Sequence, residues 1–240
     1  MLPTVSAWRA VLFDLDGTLI DSIGLILDSF AHTLARSGLP DPGEAVLRQG
    51  LGIPLASFFA RWTRDPTRIA VMIDVYREHN LALHDARIRA FPGVADMVHR
   101  IRTGGLATAL VTSKNRAVAE RGLAVAGLGG TMDVLVTCDD VTRPKPDREP
   151  VDRALALLGV KHRVALLVGD SLYDLECGRA AGVTTVAALW GPFTREELAA
   201  GRPDHWATSP SDVVLLLGGP SGWPNGRPSR VAHCRGARRE

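Results

Sequence analysis

The sequence predicts an α/β protein, built from a parallel sheet with helices on both faces and a smaller helical unit inserted into it. One observation is that short apolar runs alternate along the chain with segments of helical spacing, which is typical of parallel strands joined by helices. Another is that residues 21–90 interrupt this alternation with helical patterns and no convincing strand. Residues 1–20 and 91–217 are therefore expected to form the sheet domain, and residues 21–90 a helical domain, called the insert below.

The strands of the sheet are expected where the apolar runs are short and rich in valine, leucine or alanine. Each run is separated from the next by a segment whose apolar residues recur with the period of a helix. The predicted strands are Val11–Phe13, Ala107–Val111, Val134–Val136, Val164–Val168 and Thr184–Ala188, and the predicted helices are Val94–Arg102, Ala117–Ala126, Pro150–Leu158 and Leu172–Ala181.

The insert is expected to consist of helices alone. Its first helix is predicted over Ile23–Arg36, where apolar residues have helical spacing. Asp21 and Ser22 precede this segment, and both residue types commonly cap helix N-termini. The other helical segments of the insert are predicted near Ala45–Gln49, Leu55–Trp62 and Ile69–Leu83, before the chain returns to the sheet domain at Phe91.

Length and composition are those of an ordinary soluble globular protein, with 240 residues of which 46% are hydrophobic and 22% charged. Three scattered cysteines without a CxxC pair exclude a disulfide framework, and the histidines form no HxH or HExxH pattern, so zinc is not expected. No apolar run could span a bilayer and the N-terminus has no signal-peptide pattern. A cytoplasmic protein that does not bind membranes is expected.

The net charge of +2 is unevenly distributed. Residues 218–240 contain five arginines and one glutamate, so this tail carries +4 and the rest of the chain −2. The tail is also rich in glycine, proline and serine and has no apolar periodicity, so disorder is expected there. Because the body of the protein is not basic, nucleic acid binding is not expected.

Two carboxylates follow the first predicted strand, in the segment Asp14-Leu15-Asp16-Gly17. Acidic side chains at the end of a buried strand are costly unless a cation or hydrogen bonds satisfy them. Gly17 allows the sharp turn by which the chain leaves the strand. A solvated acidic turn is the simpler alternative, but an apolar strand seldom ends in this way, so Asp14 and Asp16 are candidate functional residues.

Polar side chains also follow later strands. Thr112 and Ser113 come directly after Ala107–Val111, where hydroxyl and backbone N–H groups can bind phosphoryl oxygens, although such residues also serve as helix caps. Lys145 lies between two prolines and could neutralise a phosphate or a nucleophile, although a lysine in a loop is usually just solvated. Each of these signals is weak by itself.

Asp170 and Asp174 follow the strand Val164–Val168 with the spacing D-x-x-x-D. A few hard oxygen ligands with room left for water and phosphate suit Mg²⁺, although Asp174 could simply favour the N-terminus of the next helix. Ligands of parallel sheets bind beyond the carboxyl ends of the strands. The four motifs therefore indicate one common site at that edge of the sheet.

Together, the segments D-x-D-G-T, K-P and G-D-S-x-x-D closely resemble the haloacid dehalogenase superfamily, in the phosphatase branch that carries a helical cap after its first strand. The resemblance extends over about residues 9–217 and implies a Rossmann-like core with the insert as its cap. It implies a nucleophile at Asp14, a general acid and base at Asp16, and Mg²⁺ held by Asp14, Asp170 and the Asp16 backbone carbonyl. The other implied roles are phosphoryl binding by Thr112 and Ser113, charge screening by Lys145, and support by Asp174 and Gly17.

The resemblance further implies a magnesium-dependent phosphatase, monomeric or homodimeric, that acts on a small phosphorylated metabolite through an aspartyl-phosphate. Inorganic pyrophosphate and phosphoglycolate are the favoured substrates. The stretch from Val136 to Lys145 looks like that of small pyrophosphatases of this family, whereas Ser113 stands where many phosphoglycolate phosphatases have asparagine. Arg48 is a candidate substrate contact, because the corresponding cap loop approaches the active site in relatives.

Two other functions remain open from the sequence. A phosphosugar mutase of the β-phosphoglucomutase type shares the same core and the same two aspartates, and would return the phosphoryl group to a sugar. A non-catalytic module that binds a phosphorylated ligand is the other alternative. A binding role gives no reason to keep both Asp14 and Asp16, so this alternative is disfavoured.

Overall fold

The computed structural model describes residues 8–218. Apart from Gly218, the basic tail predicted from residue 218 onward lies outside the described residues. Within them the chain forms a six-stranded parallel sheet with helices on both faces, so the predicted α/β class is confirmed. None of the helices in this part of the chain is both long enough and apolar enough to cross a membrane.

The strands are described first because they position the site. In chain order they are β1 (Ala10–Phe13), β2 (Ile20–Asp21), β3 (Arg89–Ala90), β4 (Ala107–Val111), β5 (Val134–Val136), β6 (Ala165–Gly169), β7 (Thr184–Ala188) and β8 (His205–Ala207). The main sheet has the order β5-β4-β1-β6-β7-β8, and all its strands run parallel. The antiparallel pair β2–β3 lies where the chain enters and leaves the insert.

β1 lies inside the sheet between β4 and β6, and its four residues are completely buried. Val11 and Phe13 pack into one apolar layer, and Ala10 and Leu12 pack into the other. Because both faces of the strand are covered, it reads as a continuous apolar run and does not alternate with polar residues. The strand therefore delivers Asp14 to the middle of the carboxyl-terminal edge of the sheet.

Ten α-helices lie in the described part of the chain. They are α1 (Ile23–Arg36), α2 (Glu44–Arg48), α3 (Leu55–Phe59), α4 (Pro66–Arg87), α5 (Val94–Thr103), α6 (Arg116–Val125), α7 (Glu149–Leu158), α8 (Leu172–Ala181), α9 (Arg195–Leu198) and α10 (Pro210–Leu216). Apolar side chains of α5, α6 and α10 cover one face of the sheet, and those of α7 and α8 cover the other.

The insert has an apolar cluster of its own, separate from the two layers that flank the sheet. Phe30 of α1 is central to it. Its ring centroid lies 4.0 Å from that of Phe58 in α3 and 5.1 Å from that of Tyr76 in α4. Aromatic pairs at such distances add to the stabilisation that comes from burying their area. The helices of the insert are thus packed around their own aromatic core.

Several helix bounds differ from the predicted ones for local reasons. α1 and α8 have the bounds predicted, but α4 starts at Pro66 and not at Ile69, because its first turn carries capping signals in place of apolar residues. The Asp65 side chain accepts a hydrogen bond from the Thr67 N–H at 2.9 Å, and proline is well tolerated in the first turn. The short elements β2, β3, β8, α9 and α10 were not predicted, since two to seven residues give little periodicity.

Candidate active site

The candidate site lies at the carboxyl-terminal edge of the main sheet. β1 ends in Asp14, β4 is followed by Thr112, and β6 is followed by Asp170. Because β1 pairs with both β4 and β6, these positions are neighbours in space. Hydrogen bonds here join residues that are 131 positions apart (Lys145 and Asp14) and 152 positions apart (Thr18 and Asp170). The predicted convergence of these motifs at one edge is observed.

Lys145 is buried within the site, with 5% of its surface exposed. Its ammonium group donates hydrogen bonds to Asp14 Oδ1 at 2.6 Å, to Asp174 Oδ1 at 2.6 Å and to the Val111 carbonyl at 3.1 Å. All three donor positions of the group are therefore engaged. The lysine fixes one oxygen of Asp14 and leaves the other oxygen without a hydrogen bond from the described residues.

Asp170 is held by a hydrogen bond from the Thr18 hydroxyl to its Oδ1, at 2.6 Å. Its carboxylate lies so close to the turn after β1 that a Cβ atom at Gly17 would be 2.4 Å from Oδ2. Gly17 also has a φ of +84°, which glycine adopts without strain. Gly17 is therefore needed both for the turn and for the close approach of Asp170.

Asp174 lies in the first turn of α8 and is fully engaged by hydrogen bonds. Its Oδ2 accepts from the Ser171 hydroxyl at 2.6 Å and from the Ser171 N–H at 3.1 Å, which forms a capping box, while Oδ1 accepts from Lys145. Of the two roles considered from the sequence, the one at the N-terminus of α8 is observed, and the bond from Lys145 is an additional one. Asp174 caps the helix, and it holds Lys145 in place.

The pKa values of the buried carboxyl groups are raised. Burial raises the pKa of Asp14 to about 7, even though Lys145 opposes the shift. Burial also raises the pKa of Asp170 well above its ordinary value, and the charges of Asp14 and Asp174 act in the same direction. Burial disfavours the charged form of Lys145, but the charges of Asp14 and Asp174 outweigh it, so its pKa is raised. The site as a whole is short of positive charge.

The acidic cluster fits a hard divalent cation. Ligand oxygens of Asp14, Asp170 and Asp174 lie within 4.8 Å of one another. One lysine faces these three carboxylates, and Asp14 Oδ2 and Asp170 Oδ2 accept no hydrogen bond from the described residues. Carboxylate oxygens are the donors that Mg²⁺ prefers. The residues present are therefore suited to hold such an ion between Asp14 and Asp170.

Asp16 lines the same cavity as the acidic cluster but has partners outside it. Its Oδ1 accepts a hydrogen bond from the Ser22 hydroxyl and forms an ion pair with Lys114 Nζ at 2.7 Å. Ser22 is the N-cap residue of α1, but its side chain makes no capping hydrogen bond. Lys114 was not singled out from the sequence. Lys114 could have been predicted as a site residue, because it directly follows the candidate residues Thr112 and Ser113 at the end of β4.

Thr112 and Ser113 also line the site. Thr112 is buried, and its hydroxyl accepts a hydrogen bond from the Lys114 N–H at 3.2 Å. The Ser113 hydroxyl donates to the carbonyl of Gly52, a residue of the insert, at 3.4 Å. Ser113 therefore links the edge of the sheet to a loop of the insert.

A cavity of about 410 Å³ lies between the edge of the sheet and the insert. Asp14, Asp16, Thr112, Lys145 and Asp170 line its floor, and residues of α1, α4 and the loop before α3 line the opposite wall. The cavity is large enough for a small phosphorylated molecule.

Arg48 does not line this cavity. Its guanidinium group donates a hydrogen bond to the carbonyl of Pro192 and lies 5.6 Å from the centre of the Phe193 ring. A contact with substrate would require Arg48 to leave both partners.

The chain is similar to known hydrolases over most of its length. A family model described as haloacid dehalogenase-like hydrolase matches residues 11–188. The pyrophosphatase PpaX of Anoxybacillus flavithermus is 36% identical over 210 residues, which are 88% of this chain and 97% of the relative. The pyrophosphatase PpaX of Oceanobacillus iheyensis is 35% identical with the same coverage.

A similar fold is known from solved structures. A mutant of CbbY from Rhodobacter sphaeroides, solved in complex with xylulose-1,5-bisphosphate, is 26% identical to this chain. The match covers 90% of this chain and 99% of CbbY, with a TM-score of 0.74.

Proposed function

Since the chain belongs to the haloacid dehalogenase-like hydrolase family, whose similar members include pyrophosphatases, we propose that it hydrolyses its substrate by transferring a phosphoryl group to Asp14. The protein is a hydrolase that acts on phosphate esters or pyrophosphate. The observation that supports Asp14 most strongly is its environment. It lies at the end of the central strand, with one oxygen held by Lys145 and the other free of hydrogen bonds.

In the first step, a carboxylate oxygen of Asp14 attacks phosphorus, and the bond from phosphorus to the leaving oxygen breaks. Lys145 offsets the negative charge that builds up between the carboxylate and the phosphoryl group. The Thr112 hydroxyl lies at the same edge of the sheet, where it can donate to a phosphoryl oxygen. An aspartyl-phosphate on Asp14 is the product of this step.

Asp16 is proposed to handle the proton in both steps. Its carboxyl group gives a proton to the leaving oxygen and then takes one from the water that attacks the aspartyl-phosphate. That attack breaks the bond between Asp14 and phosphorus, releases phosphate and restores the Asp14 carboxylate. The hydrogen bond from Ser22 and the ion pair with Lys114 hold Asp16 in place for this role.

We propose that Asp14, Asp170 and the Asp16 backbone carbonyl hold Mg²⁺, with Asp174 as an indirect support through Lys145. When bound, this ion would supply the positive charge that offsets substrate and carboxylate charges together. The insert, residues 21–90, is proposed to act as the cap that covers the reacting groups, since it supplies the wall opposite Asp14. We further propose that the protein is cytoplasmic and that it is a monomer or a homodimer.

Inorganic pyrophosphate is the substrate that we propose first, because relatives named as pyrophosphatases share 35% and 36% of their residues with nearly full coverage. Phosphoglycolate is the second candidate. The test is phosphate release from a panel of small phosphate esters and pyrophosphate, with Mg²⁺ and with EDTA. Release that depends on Mg²⁺ supports the proposal. Formation of a phosphorylated sugar without release of phosphate would identify a mutase and overturn it.

Adding Mg²⁺ is expected to raise the melting temperature more at about pH 8 than at about pH 5. The pKa values of Asp14 and Asp170 are raised in the folded protein. The folded protein therefore binds protons more tightly than the unfolded chain, and its metal-free stability falls as the pH rises from about 4 through about 7. Mg²⁺ binds the ionised groups, so we expect a shift of about 5 °C or more at the higher pH and little at the lower one.

Asp170→Asn is the control for this metal effect. It removes one proposed ligand and one buried charge, so the variant is expected to lose the shift with Mg²⁺ and to melt higher than the wild type when both lack metal at about pH 8. Equal shifts at both pH values, or none, would contradict a metal bound by these carboxylates.

Replacing Lys114 with methionine is expected to lower kcat for alkyl phosphates by about 10- to 100-fold, because Asp16 loses the cation that holds it. The loss should be smaller for p-nitrophenyl phosphate, whose leaving oxygen needs no proton. Lys161→Met, at an exposed position in the loop before β6, is the matched control and should keep full activity. Equal losses for both substrates would mean that Lys114 does not act through Asp16.

A further inference from the structure

The wall that the insert contributes to the cavity is apolar, apart from a few polar residues of α4. Tyr76 and Asn80 of that helix are buried, and the Asn80 amide donates a hydrogen bond to the Ser29 hydroxyl at 3.1 Å. Arg77 is the charged residue of this wall. The apolar residues on the same wall include Ile23, Ile26, Phe30, Ile53, Leu55 and Ile73.

The other cations that line the cavity are already engaged. Lys145 donates to Asp14 and Asp174, and Lys114 is paired with Asp16 at 2.7 Å. Among the described residues, Arg77 is the cation on the cavity wall that has neither an ion pair nor a hydrogen bond to a carboxylate. Its guanidinium group is thus available to a ligand.

Arg77 lies on the wall that the insert contributes, across the cavity from the reacting groups at the edge of the sheet. Its side chain is exposed, and its charge reaches the thiol of Cys138, whose pKa is nonetheless raised by burial and by Asp139. Cys138 also lines the cavity and belongs to the turn that follows β5. Arg77 therefore lies near the turn that follows β5, on the side of the sheet domain that faces the insert.

The balance of charges in the site indicates what kind of ligand Arg77 could bind. The floor of the site holds Asp14, Asp170 and Asp174 against Lys145, while Asp16 and Lys114 offset each other. A substrate with a second anionic group brings additional negative charge that no residue of the floor can match. A guanidinium binds phosphate or carboxylate oxygens through two parallel hydrogen bonds, which makes it suited to such a group.

We propose that Arg77 selects substrates whose leaving group carries an oxyanion of its own, by pairing with that oxyanion at the wall of the cavity opposite Asp14. This inference rests on the proposed hydrolysis at Asp14 and narrows its substrate class. The terminal phosphate of pyrophosphate and the carboxylate of phosphoglycolate share the chemistry that Arg77 recognises. Phosphate esters with neutral leaving groups gain nothing from this residue.

The experiment compares kcat/KM of the wild type and Arg77→Gln, with Mg²⁺ present, on four substrates. Pyrophosphate and phosphoglycolate, the anionic pair, carry a second anionic group beyond the leaving oxygen, and ethyl phosphate and p-nitrophenyl phosphate, the neutral pair, carry none. Losing a hydrogen-bonded charge pair is expected to lower kcat/KM by about 10- to 100-fold on the anionic pair. On the neutral pair the change should stay within about 3-fold. Arg77→Lys keeps the charge and should recover part of the loss.

Arg68→Gln is the matched control. Arg68 lies on the same helix, outside the cavity, and donates to the Ser37 carbonyl, so removal of its charge should affect neither substrate pair. If Arg77→Gln loses activity equally on all four substrates, or on none, the proposed selection of substrates by Arg77 is wrong. The proposed hydrolysis at Asp14 is not affected by that result. If the wild type hydrolyses no substrate, the proposed function itself has failed. A preference of the wild type for one anionic substrate, lost in Arg77→Gln, shows which oxyanion is bound.

Discussion

Asp14→Asn is expected to lower the rate of phosphate release by about 10⁴-fold or more, because the amide cannot attack phosphorus. Asparagine has nearly the shape of aspartate and can still accept a hydrogen bond from Lys145. The substitution also removes one of three neighbouring buried carboxylates, whose mutual repulsion contributes to the raised pKa values of Asp14 and Asp170. We therefore expect a folded and inactive protein.

The measurement is phosphate release with saturating substrate and Mg²⁺, combined with thermal unfolding of both proteins. A melting temperature equal to or above that of the wild type separates loss of chemistry from loss of structure. Asp41→Asn changes the same residue type at an exposed position of the insert and should keep full activity. An Asp14→Asn variant that retained more than about one hundredth of the wild-type rate would argue for another nucleophile.

Lys145→Met is expected to lower both activity and stability. The ammonium group is the cation inside the acidic cluster, with hydrogen bonds of 2.6 Å to Asp14 and to Asp174. Removing one partner of a buried ion pair leaves uncompensated charge and costs about 3–5 kcal/mol. Phosphate release should fall by about 10³-fold or more, because no side chain then offsets charge between nucleophile and phosphoryl group.

The loss of stability in Lys145→Met should depend on pH. Lys145 opposes the rise in the pKa of Asp14, so without the lysine this pKa rises further, the folded variant takes up protons and its stability falls as the pH increases. Urea unfolding without metal is expected to show a larger deficit at about pH 8 than at about pH 5. Combining the change with Asp14→Asn should recover part of the deficit. A deficit that is the same at both pH values would mean that lost packing, and not charge, dominates.

The main features of the fold could be predicted from the sequence because they depend on local pattern. Buried parallel strands such as β1 and β6 read as short apolar runs, and α1 and α8 carry helical spacing throughout. The convergence of Asp14, Lys145 and Asp170 follows from the same pattern, since parallel strands place their carboxyl ends at one edge. Short elements such as β8, with three residues, have too little pattern to be recognised.

The partners of individual side chains could not be predicted in this way. Ser22 has a residue type and position that suit a helix cap, yet its hydroxyl bonds Asp16. Arg48 lies in the insert as expected, but its guanidinium contacts Pro192 and Phe193. The arginine of the insert that lines the cavity is Arg77. The partners of these side chains depend on how the insert packs against the edge of the sheet, and local sequence patterns do not predict that packing.

The most direct test of the central claim is to trap the proposed aspartyl-phosphate. Wild-type protein turning over substrate with Mg²⁺ is quenched in acid within milliseconds and treated with borohydride, which reduces an acyl phosphate to an alcohol. Mass spectrometry of the peptide that contains Asp14 should then find homoserine at that position, and the signal should be absent from Asp14→Asn and from protein without substrate. A reduced residue at another position, or an unmodified Asp14 in protein that is releasing phosphate, would contradict the mechanism.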